Sequence, residues 1–71
     1  MKNVFEIEKI NKEEGTVRVV RLCVSSIDEY YQGNHDICEW ATVEYKENEK
    51  EQKEVIANCF GINVDTIELI Y

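Results

Sequence analysis

Three patterns in this chain call for a small α+β fold: an antiparallel sheet, built from an N-terminal hairpin plus later strands and packed by one main amphipathic helix over residues 48–60. Residues 3–10 alternate apolar and acidic side chains, residues 16–24 are almost continuously apolar, and residues 48–60 carry helix signals at both ends of an apolar stripe.

In NVFEIEKI (residues 3–10), Phe5 and Ile7 alternate with Glu6 and Glu8, the period-two signature of a strand with one wet face. The polar run NKEEG (residues 11–15) reads as a turn, with Gly15 free to take a positive φ. In TVRVVRLCV (residues 16–24) so few positions are polar that a central strand buried on both faces fits. Arg18 and Arg21 fall on opposite faces of such a strand and read structurally, as a solvated rim or as cross-strand pairs with Glu6 and Glu8 across the hairpin.

Ser26 and Glu29 have the spacing of a capping box, and Gly33 can close a helical turn or two; a Gly33-Asn34 hairpin turn is the competing local reading. Residues 36–45 (DICEWATVEY) carry both periods, since Ile37, Ala41 and Tyr45 recur at helical spacing. Their β-branched and aromatic content favours a strand. In NEKEQKEVIANCF (residues 48–60), Asn48 can cap, Glu51 completes the box, Gly61 marks the stop, and Val55, Ile56, Cys59 and Phe60 form the apolar stripe. Its charged face, three lysines and four glutamates between Lys46 and Glu54, reads as solvated surface. VDTIELIY (residues 64–71) returns to alternation, with Ile67, Leu69 and Tyr71 expected on one side of a last strand.

A chain of 71 residues without linker, repeat or Pro holds one compact domain over residues 1–71, and a 44% hydrophobic content can fill its core without staples. Three widely spaced cysteines, Cys23, Cys38 and Cys59, with no CxxC pattern, are expected as reduced core thiols in a cytoplasmic protein. Glu6 and Glu8 interrupt the apolar run that a signal peptide would need, and no stretch is long enough for a membrane span.

Catalytic chemistry finds little to work with. His35 is the single histidine, and HDICE lacks the further ligands that a metal site requires. No nucleophile has an obvious base, and no phosphate-cradling or zincin pattern occurs, so neither an enzyme nor a cofactor is expected.

The net charge of −7 is regional: residues 26–45 contain five carboxylates and four aromatics and no Lys or Arg. Asp28, Glu29, Tyr30, Tyr31, Asp36, Glu39, Trp40 and Glu44 are therefore the candidate partner-binding residues, the acids meeting Lys or Arg and the rings anchoring. If residues 37–45 form a strand, Glu39 and Glu44 fall on opposite faces, and the binding surface centres on Asp28 to Asp36. Direct binding to nucleic acid or an anionic membrane is disfavoured by this charge, whereas a basic, nucleic-acid-handling protein is its complement. In composition alone the chain resembles small acidic proteins of phages and mobile elements, including anti-CRISPR proteins and other nuclease inhibitors. The resemblance implies a non-enzymatic inhibitor, as monomer or small homo-oligomer, that occludes a nucleic-acid-binding surface. The alternative is an assembly protein self-associating through strand edges, above all the terminal VDTIELIY.

Overall fold

The computed structural model describes residues 2–23, 28, 31–33 and 37–71. Strands β1 (Asn3–Asn11), β2 (Thr16–Leu22), β3 (Ile37–Glu44) and β4 (Ile67–Ile70) form one sheet in the order β3-β2-β1-β4, and helix α1 (Glu49–Phe60) packs on one face. This is the small α+β architecture expected, with the N-terminal hairpin at its centre.

The hairpin turns where the Asn11 side chain accepts from the Glu14 N–H at 3.2 Å and Gly15 takes φ 69°. Across it, Ile7 stands opposite Val19 and Lys9 opposite Arg18, so Glu8 is the extra residue of a bulge. β2 is central as anticipated, and Val17, Val19, Val20 and Leu22 are all buried. β3 forms on its free side: the ladder from Glu39 to Glu44 resolves the helix-or-strand ambiguity in favour of the β-branched and aromatic residues.

Phe5, Val17, Val19, Val43 and Ile67 make the helix side of the sheet, and Ile56 and Ala57 of α1 close over them. Phe5 and Ile56 are fully buried, each contributing about 1.5–3 kcal/mol by loss of apolar exposure. The opposite face carries a second buried cluster, Val4, Val20, Leu22 and Ile70. Helix α1 begins as its sequence indicated, with the Asn48 side chain accepting from the Glu51 N–H at 3.1 Å, and ends at Gly61 with φ 67°. Its inward stripe differs from expectation, however. Cys59 is exposed, while Gln52 is 2% exposed and buried without an apolar side chain. Gln52 is satisfied locally: its Nε2 donates to the Glu44 carbonyl at 2.9 Å and its Oε1 accepts from the Lys46 N–H at 2.7 Å. It thus fixes the first turn of α1 to the end of β3.

The last segment begins with a 3-10 turn, Val64–Thr66, capped by the Asn63 side chain, so β4 starts later than the alternation suggested. Ile67 and Leu69 face the helix-side core as expected, whereas Tyr71 lies beyond the strand and is exposed. β4 pairs parallel with β1, which makes the sheet mixed where an antiparallel one was expected. The cause is topological: β3 and β1 both run antiparallel to β2, and α1 returns the chain across the sheet so that β4 enters from the same end as β1.

Both arginines of β2 are used in the fold. Arg18 Nε lies 3.0 Å from Glu8 Oε1 without hydrogen-bond geometry, and the guanidinium sits 4.3 Å from the Trp40 ring centroid. Arg21 pairs with Glu39 rather than with an acid of β1. Its Nη1 donates to Glu39 Oε1 at 2.8 Å and its Nη2 to Asn3 Oδ1 at 2.7 Å; Asn3 Nδ2 then donates to Thr66 Oγ1 at 2.8 Å. This polar chain runs from β3 to the start of β4.

The expectation of three reduced core thiols is corrected. Cys23 and Cys38 form a disulfide, with Cα atoms 5.6 Å apart, and both are exposed; Cys59 is a free exposed thiol on α1. Arg21 stands opposite Glu39 and Leu22 opposite Ile37, so Cys38 is the extra residue of a bulge at the end of the β2-β3 ladder, where Cys23 follows Leu22 on the facing strand.

Candidate binding surface

The eight residues proposed from sequence occupy distinct places. Glu29, Tyr30 and Asp36, together with Ser26 and His35, lie outside the described residues. Asp28 and Tyr31 are described and exposed, Tyr31 to 71%. Both have helical backbone, and the Gln32 N–H donates to the Asp28 carbonyl at 3.1 Å, an i to i+4 bond that Gly33 terminates at φ 79°. At i, i+3 on such a turn, an acid and an aromatic share one side.

Glu39, Trp40 and Glu44 belong to β3, and the strand separates them as its period requires. Glu39 lies on the helix side of the sheet with Ala41 and Val43; Trp40 and Glu44 lie on the other, where Trp40 stands opposite Val20. The charges of β3 already have partners. Glu39 is bound by Arg21, and Glu44 Oε1 lies 3.1 Å from Lys46 Nζ. Trp40 is 56% exposed, with Arg18 over its ring. The structure therefore does not bring the eight residues onto one surface. It leaves Asp28 and Tyr31 as an exposed acidic and aromatic element outside β3.

That element lies in the stretch closed by the Cys23–Cys38 bond, whose sequence separation is 15. Nothing in the cysteine spacing announced the bond. The signal was the pairing of β2 with β3, which puts residues 23 and 38 at the same end of the ladder. Arg18 and Gln52 were likewise unannounced as neighbours of Trp40 and Glu44.

A groove of about 470 Å³ opens between α1 and the 3-10 turn, lined by Glu49, Lys50, Lys53, Glu54, Val64, Asp65 and Ile67. Its two cations sit among three carboxylates, a mixture with no single charge preference. Nearby, desolvation raises the Tyr71 phenol above its ordinary pKa, with the Glu49 carboxylate adding to the effect. Among the described residues, no helix is long and apolar enough to cross a membrane. Compared with protein-family models, with curated proteins and with solved structures, the chain matches none.

Proposed function

We propose that this chain is a non-enzymatic protein-binding module, an inhibitor that engages a basic surface of a nucleic-acid-handling protein through the stretch between Cys23 and Cys38. The observation that carries the reading is the exposed pair Asp28 and Tyr31 on one helical turn, within a cation-free stretch whose two ends are covalently joined. A carboxylate supplies charge-assisted bonds to Lys or Arg, and a neighbouring ring supplies burial area. Closing the stretch reduces the conformational freedom that binding would otherwise remove.

On this reading Asp28 and its sequence neighbours Glu29 and Asp36 stand where phosphates would lie, in the manner of phage or mobile-element anti-defence proteins such as anti-CRISPRs. Such targets work in the cytoplasm, a reducing compartment, so the bond between Cys23 and Cys38 aids binding only where it survives reduction, and Asp28 and Tyr31 carry the reading without it. β3 contributes support rather than charge, because Glu39 and Glu44 are engaged within the fold.

Affinity capture from a cell extract, run in parallel with the wild-type protein and an Asp28→Lys/Tyr31→Ala variant, tests the proposal. Both substituted side chains are exposed, so the variant keeps its fold. A nuclease or DNA-binding protein retained by the wild type, released by salt and lost with the variant supports the reading. Equal retention by both proteins overturns it.

A further inference from the structure

We infer that the Cys23–Cys38 bond is a redox switch on the binding element. Oxidised, it holds the turn of Asp28 and Tyr31 ordered for a basic partner; opened by a dithiol reductant, it releases that turn while the sheet stays folded. This inference rests on the binding role proposed for the turn and adds its regulation.

The bond is placed to open without unfolding the protein. Both cysteines are exposed, and neither belongs to either buried cluster of the sheet. Cys38 is the extra residue of a bulge in β3, and β3 ends the strand order, so none of the described strands covers its outer side. Thiol-disulfide exchange depends on access to a sulfur, and a bond at the rim of an edge strand provides it. Leu22, the buried neighbour of Cys23, keeps its place opposite Val4 on β1 whether or not the bond is closed.

The stretch between the cysteines depends on the bond more than the sheet does. Isolated helices shorter than about 12–15 residues are marginal in water, and a sequence separation of 15 leaves no room for a longer one. The bond from the Gln32 N–H to the Asp28 carbonyl therefore relies on how the ends of the stretch are held. Without the disulfide the last strand pair before the stretch is Leu22 with Ile37, cut off from the regular ladder by the bulge at Cys38. A terminal pair of this kind frays readily.

Opening is a two-step exchange. One thiolate of the dithiol attacks Sγ of Cys23 or Cys38; the bond between the cysteines breaks as the mixed disulfide forms, and the departing sulfur takes a proton. The second thiolate of the reductant then attacks the reductant's own sulfur in the mixed disulfide, and the remaining cysteine leaves and is protonated. Both cysteines end as thiols and the reductant as a disulfide, one electron pair having passed to the protein; exchange with an oxidised dithiol runs the same steps backwards. In a reducing compartment the released form prevails, and binding tightens when the compartment turns oxidising.

The test compares oxidised wild type, wild type reduced with dithiothreitol, and a Cys23→Ser/Cys38→Ser variant, by amide exchange and by titration with a short oligolysine peptide followed through backbone amide shifts. Reduction is expected to proceed while Val19 and Ala41 stay protected. Exchange at Asp28 and Tyr31 to Gly33 should quicken about tenfold, and peptide affinity at these amides should fall about tenfold, because binding must then order a stretch that the bond otherwise holds. The serine variant should match reduced wild type and ignore reductant. Loss of Val19 and Ala41 protection on reduction, equal exchange or equal affinity in the two forms, or a reductant effect that persists in the serine variant through Cys59 would each overturn the switch and leave Asp28 and Tyr31 as the contact. Peptide shifts at Asp28 and Tyr31 in neither form would overturn the binding reading itself, and the switch with it.

Discussion

Two adjoining regions, the stretch around Asp28 and Tyr31 and strand β3, are alike in composition and opposite in use. Both combine carboxylates with exposed aromatics. In β3 the acids are matched by Arg21 and Lys46, and the tryptophan lies beneath Arg18. Asp28 enters no ion pair among the described residues, and its stretch supplies no Lys or Arg. Acidic composition therefore does not define an acidic surface; what matters is whether the fold returns a cation to each acid, and here strand pairing brings Arg21 to Glu39 while Lys46, two residues on, serves Glu44. Of these two regions, the one with a described carboxylate outside any ion pair is the stretch that holds Asp28.

The largest effect that would sharpen this contrast comes from the disulfide. Reduction, or a Cys23→Ser/Cys38→Ser variant, should lower stability by about 3 kcal/mol, as expected for a closed loop of this length. Amide exchange should then accelerate at Asp28 and Tyr31 to Gly33 while Val19 and Ala41 keep their protection; equal loosening of β3 would make the two regions one unit. Next is Gln52→Ala, which leaves the Lys46 N–H and Glu44 carbonyl without their partner and should cost about 2 kcal/mol in denaturant unfolding. Loss confined to a few tenths would mean that Gln52 does not anchor the end of β3. Smallest are Glu39→Gln and Glu44→Gln, each expected to change stability by less than about 1 kcal/mol because both ion pairs are exposed.

Local patterns made most of the elements legible. Asn48, Glu51 and Gly61 mark α1 because capping chemistry acts within a few residues, and the alternation of Phe5 and Ile7 marks β1 because side-chain direction has a fixed period. What depends on strand order was not legible. The parallel pairing of β4, the meeting of Cys23 with Cys38, and the transfer of Arg21 from an expected partner on β1 to Glu39 all follow from which strands are neighbours. Gln52 illustrates a different difficulty: a polar residue read as part of a solvated face is buried because two backbone groups at the β3-α1 junction need it. The candidate surface was legible as a composition, and its division between Asp28 with Tyr31 and the neutralised strand became visible only through the pairing of β3 with β2.

The most direct test of that division is a titration of isotope-labelled protein with a short oligolysine peptide, followed by backbone amide shifts. Salt-sensitive shifts are expected to cluster at Asp28 and Tyr31 to Gly33, with Glu39 and Glu44 little affected. Shifts centred on Glu39 and Glu44, or on the glutamates of α1, would contradict it.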